Sequence, residues 1–356
     1  MADARELKCL IAAGGTAGHV LPSLAVAEAL RARGVRVTFA GSPERVEARL
    51  VPEAGFEFDP FRVTGIPRDP GLAQVRALAL AARAPVACSR ILARRRPDVV
   101  LGGGGFVAGP MVLAAALRRI PAALTEADAH LGLANRLAAP FARRVFLAYP
   151  PDEPRGDKYR VVGRPIPARS LRIDRAEARH IFGLPEAGSV LGVFGALAGA
   201  RSLNEFVVES FATAGPAVLH ITGERDHDWV RARVEREDYV VLSSTERFGA
   251  ALSAADLVLA RAGGSVWELA AAGTPSVLVP YPHATADHQT KNARHFERAG
   301  GAIVVPEPEL AAVPELVREL LSDPARLAAM STAMLAAARP GAADEIAEEV
   351  ISLARG

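Results

Sequence analysis

Lys8-Cys9-Leu10-Ile11-Ala12-Ala13-Gly14-Gly15-Thr16-Ala17-Gly18-His19-Val20-Leu21-Pro22-Ser23-Leu24-Ala25 sets the pattern on which the rest of the chain is built. An apolar run of strand length ends at Ala13, glycines make a turn, and an amphipathic helix follows to Arg33, where Gly34 stops it. Pro22 suits the first helical turn, where its missing N–H costs nothing. The same unit recurs as Asp98–Leu101, Gly102–Gly105 and an apolar helix around Met111–Leu117. It returns as Ser189–Phe194, Gly195–Gly199 and a helix near Leu203, and again as Asp256–Ala260, Gly263-Gly264 and a helix over Ser265–Ala272. Strands that alternate with helices imply parallel sheets covered on both faces.

Two such units fall in each half of the 356 residues, which exceed the roughly 100–200 residues of one domain. The expected layout is an N-terminal domain over 1–160 and a second over 161–340. A helix at 341–356 follows, for which a return to the first domain is one placement. The proline- and charge-rich stretch Tyr149–Pro167 reads as the linker, and the chain turns helical past Leu310. The net charge of +2 offers no field for nucleic acid. Cys9 and Cys88 are too few for a disulfide framework or a zinc site and read as small reduced hydrophobes. Met1–Lys8 is polar with no long apolar stretch behind it, so no signal peptide is expected. The longest uncharged run, Leu269–Ala286, is broken by Gly273, Pro275, Pro280 and Pro282, so no transmembrane helix is expected either.

The glycine turns indicate the ligand class. A helix N-terminus preceded by glycines offers unpaired N–H groups and partial positive charge, and glycine lets the backbone approach a phosphate. In open parallel sheets ligands sit outside the carboxyl ends of the strands, where all four loops lie. Paired across two domains, they suggest a cleft with one domain on each side. None matches the phosphate-binding Gly-x4-Gly-Lys-Ser/Thr motif, and Gly14–His19 is not a clean dinucleotide fingerprint, which argues against ATP hydrolysis and nicotinamide chemistry.

Gly14-Gly15-Thr16-Ala17-Gly18-His19-Val20-Leu21-Pro22-Ser23-Leu24-Ala25 resembles the opening of the MurG glycosyltransferases. Gly103–Pro110 resembles their second glycine loop, and Thr125-Glu126-Ala127-Asp128 through Asn135-Arg136 their His-Glu-Gln-Asn stretch. Gly163-Arg164-Pro165 is similar to their interdomain Gly-Asn-Pro. Gly199–Asn204, Arg261–Gly273 and Asp287-His288-Gln289 through Asn292-Ala293 match loops of the second domain and the donor-sugar region. The likeness spans nearly the whole chain with the motifs in order. It implies an α/β fold of GT-B architecture, two doubly wound Rossmann-like domains facing each other across a cleft. It also implies a metal-independent inverting transfer from UDP-N-acetylglucosamine to undecaprenyl-linked muramyl pentapeptide, with no cofactor. Peripheral placement on the cytoplasmic face of the membrane, and a part in peptidoglycan synthesis, cell shape and division, go with that family. The chain departs from the pattern at Ala127 and Asp128. Pro167 stands where the family has an arginine that Arg164 or Arg169 would have to replace. Leu197 takes the place of a serine hydroxyl, and the segment between Arg261 and Glu268 is one residue short.

Displacing UDP by a sugar hydroxyl needs a base on the hydroxyl and something to meet the charge of the departing diphosphate. His19, with an ordinary pKa of about 6.5, is the base candidate; Glu126 or Asp128 would orient it or act instead. Thr16, Ala17 and Gly18 would contact substrate from the first domain. The helix N-termini after Gly195–Gly199 and Gly263-Gly264 would meet leaving-group charge. By resemblance, Glu268 would bond the ribose hydroxyls and Gln289 the sugar hydroxyls with His288 beside it. Arg164 and Leu197 would line the donor site, and Asn292 would support the Gln289 loop. Asp226-His227-Asp228 invites a metal reading, but a polar turn with a helix cap is the expected role, and no metal is expected. Val75, Leu78 and Leu80 among Arg76, Arg83, Arg90 and Arg94–Arg96 suit a surface helix resting on anionic lipid. A related transferase with another lipid acceptor, or a nucleotide-sugar binder without catalysis, is the alternative reading.

Overall fold

The computed structural model describes residues 5–65, 71–151, 153, 155–195 and 199–356, with the side chains of Ala73 and Leu78 also left aside. The chain divides into two compact units, one ending at Pro167 and including Pro340–Gly356, the other Ala168–Arg339.

In the first unit the elements run β1 (Lys8–Ala12), α1 (Ala17–Ala32), β2 (Arg36–Gly41), α2 (Glu47–Glu53), β3 (Glu57–Pro60) and α3 (Leu72–Arg95). They continue as β4 (Val99–Gly102), α4 (Ala108–Leu117), β5 (Ala122–Glu126), α5 (Leu133–Ala138), β6 (Arg144–Leu147) and β7 (Tyr159–Val161). Among the described residues the strands form one parallel sheet in the order β3-β2-β1-β4-β5-β6-β7. Residues of β1 alternate between two cores. Cys9 and Ile11 pack with Val26 and Leu30 of α1, while Leu10 and Ala12 pack with Met111 and Val112 of α4 and Cys88 of α3. Because both faces are covered, the strand reads as an unbroken apolar run rather than an alternating one. β7 lies inside the expected linker and pairs with β6, which carries the first unit on to Pro167 rather than 160.

Pro22 also lies elsewhere than expected. α1 already begins at Ala17, so the proline is its sixth residue, not part of the first turn.

The second unit runs α6 (Arg175–Phe182), β8 (Val190–Phe194), α7 (Arg201–Phe211), β9 (Ala217–Ile221), α8 (His227–Arg231), β10 (Tyr239–Leu242) and α9 (Phe248–Ala254). It continues with β11 (Leu257–Ala260), α10 (Val266–Ala272), β12 (Ser276–Leu278), α11 (His288–Arg298), β13 (Ala302–Val304), α12 (Val313–Leu321) and α13 (Pro324–Ala337). Its parallel sheet is ordered β10-β9-β8-β11-β12-β13. Leu191, Val193, Leu257 and Leu259 of the central strands pack with Leu203 and Val207 of α7 and Val317 and Leu320 of α12.

The last helix, α14 (Ala342–Arg355), belongs to the first unit. Ile346, Ala347 and Val350 are buried with the α1 side of that sheet, and Arg33 bonds Asp344 and Glu348 at the rim.

In both sheets the winding reverses between two adjacent central strands, β1 and β4 in one and β8 and β11 in the other. Ligands of such sheets bind outside the strand ends at that reversal. The four glycine turns picked out in the sequence are the turns that leave these four strands.

Candidate active site

At the carboxyl end of β1, Gly14 and Gly15 turn the chain into α1. Thr16 takes the N-cap position in extended conformation, yet its hydroxyl makes no bond to a helix N–H. Thr16 Oγ1 lies 3.1 Å from His19 Nδ1 instead, so the hydroxyl orients the imidazole. The turn after β4 fixes the ring from another side. Gly104 and Gly105 have φ of +97° and +72°. A Cβ on Gly104 would fall 2.5 Å from His19 Cδ2, and one on Gly105 2.1 Å from Gly14 O. Glycine is required at both positions by conformation and by space. Thr16 and Gly18 are exposed and Ala17 and His19 half-buried, so the positive end of α1 is presented at the surface beside the imidazole.

Glu47, which the sequence reading passed over, holds this turn from beneath. It is wholly buried in the first turn of α2, and its two oxygens accept from Gly15 N and Ser42 N, each at 3.0 Å. The carboxylate pins the turn after β1 to the turn after β2. No local pattern announces it, because the decisive partner lies 32 residues away.

Glu126 ends β5 and is buried. It accepts from Gly132 N at 2.9 Å, Asn135 Nδ2 at 3.0 Å and Asp128 N at 3.3 Å, and burial pushes its pKa up. Those bonds shape its own loop. Asp128 is half-buried on that loop. Arg164 is buried, and its guanidinium donates to two backbone carbonyls, Gly18 O at 2.6 Å and Ala127 O at 3.0 Å. It therefore joins the start of α1 to the loop after β5.

In the second unit the turn after β8 includes Leu197, which lies outside the described residues. Gly199 has φ of +76°, and a Cβ there would fall 2.2 Å from Thr222 O. Gly199 lies against the end of β9, where a chain of polar groups is buried. Tyr239 OH is 2.9 Å from His220 Nδ1, His220 Nε2 is 3.0 Å from Asn204 Oδ1, and Asn204 Nδ2 donates to Asp226 at 2.9 Å. Burial pushes the His220 ring down to about 3, so it is neutral. Asp226 also accepts from Arg225 and Arg201. The Arg225 bond, opposed by burial and joined by bonds from Arg201 and Asn204, holds its carboxyl at about 2. The junction from β9 to α8 is thus a polar turn, but Asp226 does not cap α8 as expected; its oxygens are committed to guanidinium and amide donors, while Asp228 faces solvent beside His227.

The turn after β11 carries Gly263 and Gly264, both half-buried; a Cβ on Gly263 would meet nothing within 4 Å. Arg261, buried at its start, ion-pairs with Glu307 at 2.7 Å and donates to Ser202 Oγ at 2.9 Å, which ties this turn to the first residues of α7. Asn292, wholly buried on α11, donates to Ala262 O, which ties the start of α11 to this turn. Glu268 in α10 accepts from Ser170 Oγ at 2.6 Å. Gln289 Oε1 accepts from Tyr281 N at 2.9 Å, and His288 Nδ1 is 2.8 Å from Thr285 O. The bend before α11 is built from two non-glycine residues with positive φ, Ala286 at 53° and Asp287 at 52°.

Residues 9–147 match the glycosyltransferase family 28 N-terminal domain and residues 190–346 its C-terminal domain. A protein of Halorhodospira halophila is 41% identical over 97% of this chain and 98% of its own length, and one of Mycobacterium bovis 40% identical over 99% and 91%. Both are named UDP-N-acetylglucosamine--N-acetylmuramyl-(pentapeptide) pyrophosphoryl-undecaprenol N-acetylglucosamine transferase. Among solved structures, MurG of Acinetobacter baumannii superposes with a TM-score of 0.78 at 26% identity, covering 97% of this chain and 99% of that one.

Proposed function

This chain belongs to the MurG glycosyltransferases of family 28, and from that membership we propose its reaction. N-acetylglucosamine passes from UDP-N-acetylglucosamine to the 4-hydroxyl of undecaprenyl-pyrophosphoryl-muramyl pentapeptide. The observation that carries the assignment of roles is the imidazole of His19, oriented by Thr16 Oγ1 and walled by Gly104 at the carboxyl end of β1.

His19 takes the proton of the acceptor hydroxyl as its oxygen bonds to the anomeric carbon. The bond from that carbon to the diphosphate breaks on the opposite face, UDP departs with the electron pair, and the anomeric centre inverts to a β-1,4 link. Charge growing on the diphosphate is met by the N-terminus of α7. Glu268 takes the ribose hydroxyls, and Gln289 with His288 takes the sugar. Arg169 is exposed next to Ser170, the residue bonded to Glu268, and supplies the guanidinium that Pro167 cannot.

No described helix is long and apolar enough to cross a membrane. We assign membrane contact to one face of the first unit, supported by the side chains it leaves in water. Leu72 and Val75 of α3 are 86% and 62% exposed, and Val86 is also exposed; Leu80 is half-buried, and the Leu78 side chain is outside the described residues. α4 packs beside α3 and α5 beside α4, adding exposed Leu117, Leu133 and Leu137. Arg76, Arg83 and Arg90 are exposed among them, which suits an anionic lipid surface on the cytoplasmic side.

The test is UDP release from UDP-N-acetylglucosamine, with chelator present, with and without a short-chain analogue of the muramyl-pentapeptide lipid. Acceptor-dependent release is expected. Donor binding by calorimetry without acceptor-dependent release would overturn the acceptor assignment, and activity lost in chelator but restored by magnesium would overturn the metal-free mechanism.

A further inference from the structure

We infer that Arg164 is a positioning residue that sets His19 against the loop carrying Asp128, through the carbonyl that Pro22 leaves without a helical donor. The inference rests on the reading of His19 as the base.

In an α-helix the N–H of residue 22 would bond the carbonyl of residue 18. Proline has no N–H, and its ring crowds that same carbonyl. α1 spans Ala17–Ala32, so Gly18 O falls inside the helix and loses its partner there. Arg164 Nη2 donates to that oxygen at 2.6 Å. The neighbouring nitrogen, Nη1, donates to Ala127 O at 3.0 Å.

Gly18 precedes His19, and Ala127 precedes Asp128. A guanidinium is a rigid planar fork with its two nitrogens at fixed spacing. Bonded this way, it sets the distance between the peptide ahead of the base and the peptide ahead of the acid. Arg164 is 7% exposed, and its bond to Ala127 O is buried while that to Gly18 O is part-buried.

The experiment is a double-mutant cycle between Arg164 and Pro22. Alanine at 22 restores an N–H to α1 and gives Gly18 O its own donor. Arg164→Met is expected to lower kcat about 10- to 100-fold, as misplacement of a catalytic group does, with the donor Kd from calorimetry changed less than about twofold. Pro22→Ala alone stays near wild type. In the Pro22→Ala background Gly18 O keeps a helical donor while the tie to Ala127 stays broken, so the Arg164→Met loss shrinks only in part, the coupling expected of residues that share one partner. Arg164→Lys, which keeps the charge and one donor at reach, is expected to fall between and serves if the methionine variant folds poorly. Equal losses with and without Pro22→Ala, or a loss that appears in donor Kd rather than kcat, would overturn the inference. The His19 imidazole resonances in the full chain, assigned with His19→Gln, report independently of turnover. They are expected to shift in Arg164→Met and to return partway in the double variant, and an unmoved spectrum would overturn the inference even if the transfer reaction proved to be a different one.

Discussion

Thr16 Oγ1 meets the His19 ring at Nδ1 and the Gly104 backbone lies close at Cδ2, while Glu47 pins the turn ahead of it through Gly15 N. A side chain that only filled space would not need a hydroxyl in place of a helix cap and a pair of left-handed glycines. Replacing His19 by alanine is expected to reduce acceptor-dependent UDP release at least about 100-fold, the usual loss for a general base; a rate near wild type would remove it from that role. Glu126 differs in kind. Its three accepted bonds serve its own loop and its pKa is raised by burial, so its oxygens act on structure before chemistry.

At the scale of elements, buried polar groups join helices and strands alongside the apolar packing. Tyr239 of β10, His220 of β9 and Asn204 of α7 form one hydrogen-bonded chain ending on Asp226. His220 titrates at about 3 in the fold and about 6.5 in the unfolded chain. The unfolded chain therefore binds the proton first. The stability this neutral ring contributes is whole above about pH 6.5 and drains away as pH falls toward its folded value. The thermal midpoint of the wild type is expected to drop between pH 7 and pH 5, and less steeply in His220→Gln; parallel curves would show that this ring does not govern the slope. α3 supplies the second prediction at this scale. Leu72→Glu with Val75→Glu should leave transfer to a soluble acceptor analogue intact while weakening sedimentation with anionic vesicles about tenfold or more. Unchanged sedimentation would move the membrane surface elsewhere on the unit.

For the whole molecule, the chain ends where it began. α14 covers the α1 side of the first sheet after the entire second unit has been traversed, with Ile346 wholly buried. Ile346→Ala is expected to cost about 2–5 kcal/mol of stability, read by denaturant unfolding as a loss in the first unit; a cost near zero would mean that α14 docks loosely. The return of this helix was open in the sequence because its apolar spacing shows only that one face is covered, not by what. The parallel αβ alternation and the four glycine turns were legible in order, because buried strands read as apolar runs and a turn with positive φ or close backbone approach admits few residues besides glycine. The same local reading put Pro22 in a first turn and Asp226 on a helix cap, since capping and turn preferences are judged within a few residues. The two-domain α/β plan, the family and the position of the glycine turns were thus readable along the chain. Only the tertiary structure decided that Glu47 pins the first turn, that Asp226 answers to two arginines, and that Arg164 bonds Gly18 and Ala127. The bonds from Gly15 to Glu47, from Arg201 to Asp226 and from Arg164 to both carbonyls join residues 25 to 146 apart, and a hydrogen bond depends on separation in space, which periodicity and spacing along the chain do not carry.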